Sequence, residues 1–348
     1  MAARRRGTVI AAAGLGAAAL GLAACGGGSG GSGGGSAGGT LKVVGSSDVD
    51  HLDTSSVYTT WGNLLARQFA RTLFNVKAAD NFDDAIKVVA DGAAEIPTME
   101  NGGISKDGKT YTIKLRDGMQ WDTNPVRPVV AGDFVRGIKR ICNPAKPSGG
   151  LGYYTDTIEG FAKFCDGFTK VGGNDAAAIA AYQNQHQVTG LQAKDDKTLV
   201  VKLNRPASDF TNILGLAFSA AAPVEYDRYV PDSPDFRTHT ISDGPYKITS
   251  YQANKSITLA KNPAWKAASD PVRQQNPDGI QITMGQDSPE TVQQQMESGA
   301  ADLSWDQTVP TGQIPSLKSN SNFKIMDGST SNPYLVFNTL SPNNGGAL

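Results

Sequence analysis

Ser105-Lys106-Asp107-Gly108-Lys109-Thr110-Tyr111-Thr112-Ile113-Lys114-Leu115-Arg116-Asp117-Gly118-Met119-Gln120-Trp121 is the stretch on which the reading of the fold turns. From Thr110 to Arg116 apolar and polar residues alternate. Tyr111, Ile113 and Leu115 share one face and Thr112, Lys114 and Arg116 the other, as in a half-buried strand. Towards the N-terminus, Leu41-Lys42-Val43-Val44 reads as a short strand, and Trp61, Leu64, Leu65, Phe69 and Leu73 recur at helical spacing. Towards the C-terminus, Val135, Ile138 and Ile141 suggest a helix stopped by Asn143-Pro144, and Ala176 to Tyr182 suggests another. Leu199, Val201 and Leu203 alternate again, and Tyr246, Ile248, Ile257 and Leu259 suggest a hairpin. Ser288 followed by Pro289 starts a helix that Gly299 stops. Strands and helices mix without a regular βαβ alternation. The predicted class is α/β of the mixed α+β kind, in more than one lobe.

The 348 residues suffice for two or three domains. Lys and Arg total 32 against 33 Asp and Glu, so no excess field exists to bind phosphates, and nucleic acid is excluded as the main partner. The N-terminus is a different material: 14 of the 40 glycines fall in its first 40 positions. Arg4, Arg5 and Arg6 precede an apolar run from Val9 to Leu22, the layout of a secretory signal peptide over residues 1–24. Export by the general secretory route fits better than the twin-arginine route, whose pattern is incomplete. Leu22-Ala23-Ala24-Cys25 resembles the lipobox of bacterial lipoproteins, which makes Cys25 the expected lipid anchor. Residues 25–39, nearly all Gly, Ser and Ala, then form a flexible tether. Cys142 and Cys165 remain as an even pair outside the cytosol, where a disulfide between them is expected.

Little in the chain points to catalysis. His51, His186 and His239 lack the short spacings of a metal site, so neither metal nor other cofactor is expected. His51 among Asp48, Asp50 and Asp53 could suggest a general base, but acidic loop residues after a strand are more often solvated or capping. Glu297, Asp302 and Asp306 read as surface charge. Aromatic residues in Gly/Ser/Asn-rich loops stand out: Tyr58 and Trp61, Tyr153-Tyr154 after Gly149-Gly150, Trp305, and Tyr334 with Phe337. Such rings beside hydroxyls and amides suit a cleft for polar organic ligands. Composition alone leaves an exported binding protein or an exported hydrolase.

Several ordered segments together resemble one family. Asp107-Gly108-Lys109-Thr110-Tyr111-Thr112-Ile113-Lys114-Leu115-Arg116 through Trp121 matches a family hairpin, and Asp50-His51-Leu52-Asp53 matches its opening turn, with Thr54 in place of a proline. Asp195 to Leu203 with Arg205-Pro206 and Phe210, Asp243-Gly244-Pro245-Tyr246, Leu259-Ala260-Lys261-Asn262-Pro263, Ser298-Gly299-Ala300-Ala301-Asp302 and Tyr334-Leu335-Val336-Phe337-Asn338-Thr339 follow in the family's order. The chain thereby resembles the large extracellular solute-binding proteins of ABC importers in the oligopeptide, dipeptide and nickel-binding family. The resemblance implies a periplasmic-binding-protein-like type II fold in its large three-lobe variant, with the third lobe missing after its start at 332–348. It implies a discontinuous first lobe, 40–65 plus 188–331, and an inserted second lobe, 66–187. It further implies a monomer without catalysis, tethered to the outer face of the membrane, that hands a peptide to permease subunits. Nickel chelate, haem and oligosaccharide remain alternative ligands within the family. The ligand contacts it implies are Trp305 first, then Tyr58 and Thr60, and Tyr154 with Tyr153 as its alternative, while Tyr246 is expected in the core and Phe337-Asn338 at a hinge.

Overall fold

The strand predicted from Tyr111, Ile113 and Leu115 forms as Thr110–Lys114, and its apolar face is buried. A computed structural model of the chain describes residues 38–320 and Phe323. The predicted leader 1–24, Cys25, the tether except Gly38 and Gly39, the third-lobe start 332–348, and with it Tyr334, Phe337 and Asn338, lie outside the described residues. Along the chain run strand β1 (Thr40–Val44), helix α1 (Thr60–Phe69), strand β2 (Thr110–Lys114) and helix α2 (Ala131–Arg140). Helices α3 (Phe161–Phe168) and α4 (Ala176–Gln185) precede strands β3 (Leu191–Asp195) and β4 (Thr198–Lys202). Then come the hairpin β5 (Tyr246–Gln252) and β6 (Ser256–Lys261), strand β7 (Gly279–Thr283), helix α5 (Pro289–Glu297) and strand β8 (Leu303–Ser304), with shorter pieces between.

The helix boundaries have local causes. Thr59 caps α1 by accepting from the Gly62 amide, and Ala70 turns extended, so Leu73 lies past the helix that its spacing suggested. Asn143 stops α2: its side-chain amide donates to Arg140 O and Lys146 O, and its oxygen accepts from the Ala145 and Lys146 amides. Ser288 caps α5 through the Thr291 amide at 3.2 Å, and Gly299 ends it with φ +73°. The predicted disulfide is present, tying Cys142 just past α2 to Cys165 in α3 across 23 positions. Closing a loop of that length contributes about 3 kcal/mol by restricting the unfolded chain.

Two sheets organise the described residues. In the first the order is β8-β1-β7-β6-β5, with β1 parallel to both β7 and β8 and the hairpin antiparallel. Its buried face, with Val43, Ile257, Leu259, Ile280 and Ile282, packs with Leu65 and Phe69 of α1 into one core. Each such side chain, fully buried, contributes roughly 1.5–3 kcal/mol. Tyr246 belongs to this core, as expected despite its conspicuous Gly-Pro-Tyr setting, and donates its hydroxyl to Pro277 O. The second sheet, β2-β4-β3, is antiparallel, with Tyr111 opposite Val201 and Ile113 opposite Leu199. Its apolar face joins Phe134 and Ile138 of α2 and Phe161 of α3 in a second core.

Membership of the two cores changes along the chain. Leu65, Ala66 and Phe69 belong to the first core and Leu73 to the second. Val188, Leu191, Leu199, Val201 and Phe210 all belong to the second core, which reaches Phe218 and Ala221, while Ala220 between them belongs to the first. The reason is pairing. Alternation in Leu199-Val201-Leu203 reveals a buried face but no partner, and the partner is β2.

Candidate ligand-binding cleft

The parallel strands β1, β7 and β8 end together at Val44, Thr283 and Ser304. In open α/β sheets the loops leaving the carboxyl ends of parallel strands form the ligand crevice. Here the Gly45 amide donates to Thr283 O at 3.0 Å and the Trp305 amide to Val44 O at 3.1 Å. The Asp306 carboxylate accepts from the Ser46 amide at 2.9 Å, the Ser47 amide at 3.0 Å and the Ser46 hydroxyl at 2.9 Å. The half-buried Trp305 ring lies across Gly45, where a Cβ would fall 1.9 Å from the indole nitrogen, so only glycine fits beneath it. Trp305 Nε1 is buried with no hydrogen-bond acceptor among the described residues.

The loop that begins at Gly45 runs on to a second feature. Asp50 gathers its end by accepting from the Tyr58 amide at 2.7 Å, the Thr59 amide at 3.0 Å and the Thr59 hydroxyl at 2.8 Å. Tyr58 is thereby presented 65% exposed, its ring stacked on Phe218 with centroids 6.3 Å apart. Gly149 and Gly150 make room for this pair: a Cβ on Gly149 would stand 3.0 Å from the Tyr58 ring, and one on Gly150 would stand 2.4 Å from Phe218. Tyr58, Gly149, Gly150, Tyr153, Asp156, Arg205 and Asp209 line a cavity of about 400 Å3. That volume lies within the range of small-ligand sites.

The predicted site residues divide on this geometry. Tyr58 and Tyr153, the latter 57% exposed, meet in the cavity. Tyr154 does not: it is fully buried in the second core, donating or accepting at Ser219 Oγ over 2.6 Å and lying 3.1 Å from Ile213 O, and burial pushes its phenol pKa up. Within the short helix Gly152–Thr155 adjacent residues point to different faces, and the one turned inward is Tyr154. Thr60 is exposed as the first residue of α1 and lies outside the cavity lining, as does Trp305.

The acidic loop carries structural duties. His51 Nδ1 lies 2.5 Å from Asp232, whose carboxylate also accepts from the Leu52 amide and from Arg237. Burial alone would raise the Asp232 pKa, but the bonds from His51 and Arg237 outweigh it and hold the carboxyl below its ordinary value. Asp53 forms a buried ion pair with Arg140 of α2, whose guanidinium lies over the Tyr226 and Phe236 rings. Asp302 accepts from the Lys42 amide, so it fastens β1 rather than forming a reactive pair. Arg205, Asp209, Asp156 and Phe218 went unmarked by the sequence, because nothing local places their segments beside residue 58. A second cavity, about 480 Å3, runs along α5 and is lined by Val292, Met296, Val309, Leu317 and Phe323.

Residues 94–346 match a family model described as bacterial extracellular solute-binding proteins, family 5 Middle. The chain is 28% identical over 239 residues to the probable deoxycholate-binding periplasmic protein YgiS of Escherichia coli, covering 69% of this chain and 40% of that protein. It is 29% identical over 238 residues to the oligopeptide-binding protein OppA of Bacillus subtilis, covering 67% of this chain and 38% of that protein. It superposes on the solved structure of clavulanic acid biosynthesis oligopeptide binding protein 2 with a TM-score of 0.67 at 24% identity, over 81% of this chain and 47% of that one. For Listeria monocytogenes OppA bound to peptide the TM-score is 0.59 at 21% identity, over 83% and 49%. The chain thus spans less than half the length of each of these proteins.

Proposed function

Because the chain belongs to the bacterial extracellular solute-binding proteins of family 5 and has their mixed α/β fold, we propose that it captures peptides outside the cell for an ABC importer and is anchored there through lipidated Cys25. The observation that carries the ligand side of this reading is the cavity lined by Tyr58, whose ring rests on Phe218, and by Gly149 and Gly150. Exposed rings offer faces to a peptide of any sequence, while wet, polar surroundings accept its main chain. In this reading the two cores are two lobes, the second inserted between about residues 71 and 219, and their relative motion closes over the ligand. The disulfide between Cys142 and Cys165 suits a chain working in an oxidising compartment.

Tyr58→Ala is expected to weaken binding of a short peptide about tenfold, as loss of one aromatic anchor does, without altering the fold. A titration followed by NMR chemical shifts reads this, and mass spectrometry of the same samples reads turnover. Unchanged affinity would remove the cavity from the site, and steady cleavage of the peptide would replace capture by hydrolysis. The anchor is tested apart. Among the described residues no helix is long and apolar enough to cross a membrane. Cys25→Ala is expected to move the protein from the detergent-extracted fraction to the soluble one, and retention of the variant on membranes would end the lipoprotein reading.

A further inference from the structure

We propose that a small cavity between α2 and α4 is an anion site, in which Lys139, Arg136 and Gln183 hold an oxyanion that carries its own hydroxyl, as hydrogen phosphate does. The site shares no lining residue with the cavity beside Tyr58, so the inference stands apart from the peptide reading. Its volume is about 160 Å3. That falls below the roughly 300 Å3 at which drug-sized sites begin, and suits one tetrahedral oxyanion with part of its water.

Lys139 distinguishes the site. Among the described residues the buried cations are Arg71, Arg140, Arg273 and Lys139; each of the three arginines is ion-paired, whereas Lys139 meets no carboxylate. Its ammonium donates to Gln183 O at 3.0 Å and His186 O at 2.7 Å, at the C-terminal end of α4, and lies 5.5 Å from the centre of the Phe164 ring. An ammonium has a third hydrogen, and here it has no acceptor among the described residues. Burial, and then the like charge of Arg136, pull the Lys139 pKa down to about 8, so at neutral pH it stays mostly protonated without a counter-charge. Arg136 stands three residues earlier on the same face of α2 and lines the cavity too. Its Nη1 bonds to Asp227 and Asn184, and its other two nitrogens make no bond among the described residues. Two positive charges therefore share one carboxylate.

Gln183 supplies the selectivity. Its side chain is 2% exposed and lines the cavity, and its Oε1 is buried with no donor among the described residues. The amide nitrogen donates to Arg136 O at 3.4 Å, which settles which end of the group is oxygen. A buried acceptor without a donor is costly, so this one selects a ligand that brings a hydrogen. Hydrogen phosphate answers both needs: its charged oxygens accept from Lys139 and Arg136, and its hydroxyl donates to Gln183 Oε1. Sulfate has the same shape but carries no hydrogen at neutral pH, and its lone pairs would face that of the amide.

The experiment titrates the full chain at neutral pH with inorganic phosphate and, separately, with sulfate, at constant ionic strength in chloride. Amide NMR shifts of α2 and of residues 183–187 are the readout. Phosphate is expected to give saturable shifts there with a Kd of about 1 mM, and sulfate to bind at least about tenfold more weakly. Gln183→Leu should bring the two anions to within about twofold of each other, because the unpaired acceptor is gone. Lys139→Met should abolish binding of both. Should loss of its bonds to α4 unfold that variant, Arg136→Gln at its partly exposed position carries the same test, with phosphate weakened about fivefold. Equal affinity for the two anions in the wild-type chain overturns the inference, as do shifts confined to other residues. No saturable shift up to about 20 mM phosphate also overturns it, and leaves the cavity to water.

Discussion

Replacement of Arg71 by methionine is expected to lower the unfolding free energy by about 3–5 kcal/mol, the largest effect of any single substitution considered for this chain. Arg71 is fully buried where the two cores meet, and it bonds to Asp91 at 2.8 Å and to Ser269 O at 2.7 Å. Arg273 completes the cluster with ion pairs to Asp91 at 2.8 Å and Asp270 at 3.3 Å. Asp91 comes from the segment that follows Leu73 of the second core, whereas Asp270 and Arg273 come from the first-core side. The network therefore clamps one half of the chain to the other. Removing the Arg71 guanidinium leaves two buried carboxylates, Asp91 and Asp270, sharing one cation, Arg273, and two carbonyls without their donor, whereas replacing the whole cluster with apolar groups would cost far less. Asp91→Asn should cost less than Arg71→Met, because the nearby Asp243 carboxyl, relieved of the Asp91 charge, can ionise and restore neutrality. Urea unfolding of both variants at neutral pH decides this. Equal losses, or a loss below about 1 kcal/mol for Arg71→Met, would show that the cluster is hydrated or dispensable.

That cluster also marks where sequence reading stops. Elements whose evidence is local were legible: alternation from Thr110 to Arg116, the Ser288-Pro289 start of α5, the Asn143 stop of α2, and the isolated pair Cys142 and Cys165. Each depends on neighbours within one turn or one strand. Arg71, Asp91, Asp243, Asp270 and Arg273 are scattered over some two hundred positions and look like ordinary surface charge until the sheets assemble. The cavity has the same character. Tyr58, Gly149-Gly150 and Tyr153 were visible as aromatics in glycine-rich loops, but their partner Phe218 and the charges of Arg205 and Asp209 come from distant segments that only the folded chain brings beside them. Tyr154 turns inward and Tyr153 outward within a single helical turn, an orientation that no spacing argument resolves.

Asp243→Asn is expected to change how stability depends on pH rather than simply lower it. The carboxyl is fully buried, and burial pushes its pKa up to about 8 against the pull of Arg71 and Arg273, with Asp91 pushing the same way as burial. One oxygen accepts the Arg71 amide at 2.9 Å and the other has no partner among the described residues, so the neutral acid is the form this site accommodates. Two arginines facing Asp91 and Asp270 are already balanced without a third negative charge. The sign follows from proton binding. Between the ordinary carboxyl value of 3.8 and about 8, the folded chain keeps this proton and the unfolded chain has lost it. Asp243 therefore contributes stability that is complete below 3.8 and declines as pH rises through about 8, by up to about 1.4 kcal/mol per pH unit. Asparagine cannot ionise, so the stability of the variant relative to the wild type should climb from pH 4.5 to pH 8 and level off above. Taking the difference cancels groups shifted the other way, such as Asp232 and Asp270, whose carboxyls are held below their ordinary range and lose stability as pH falls. Asp122, next to the Ser242 amide, is also raised by burial and cancels in the same way. Urea unfolding at three pH values suffices, and a difference that stays flat across them would mean that Asp243 is ionised inside the folded protein, with the positive charge of Arg71 and Arg273 outweighing its burial.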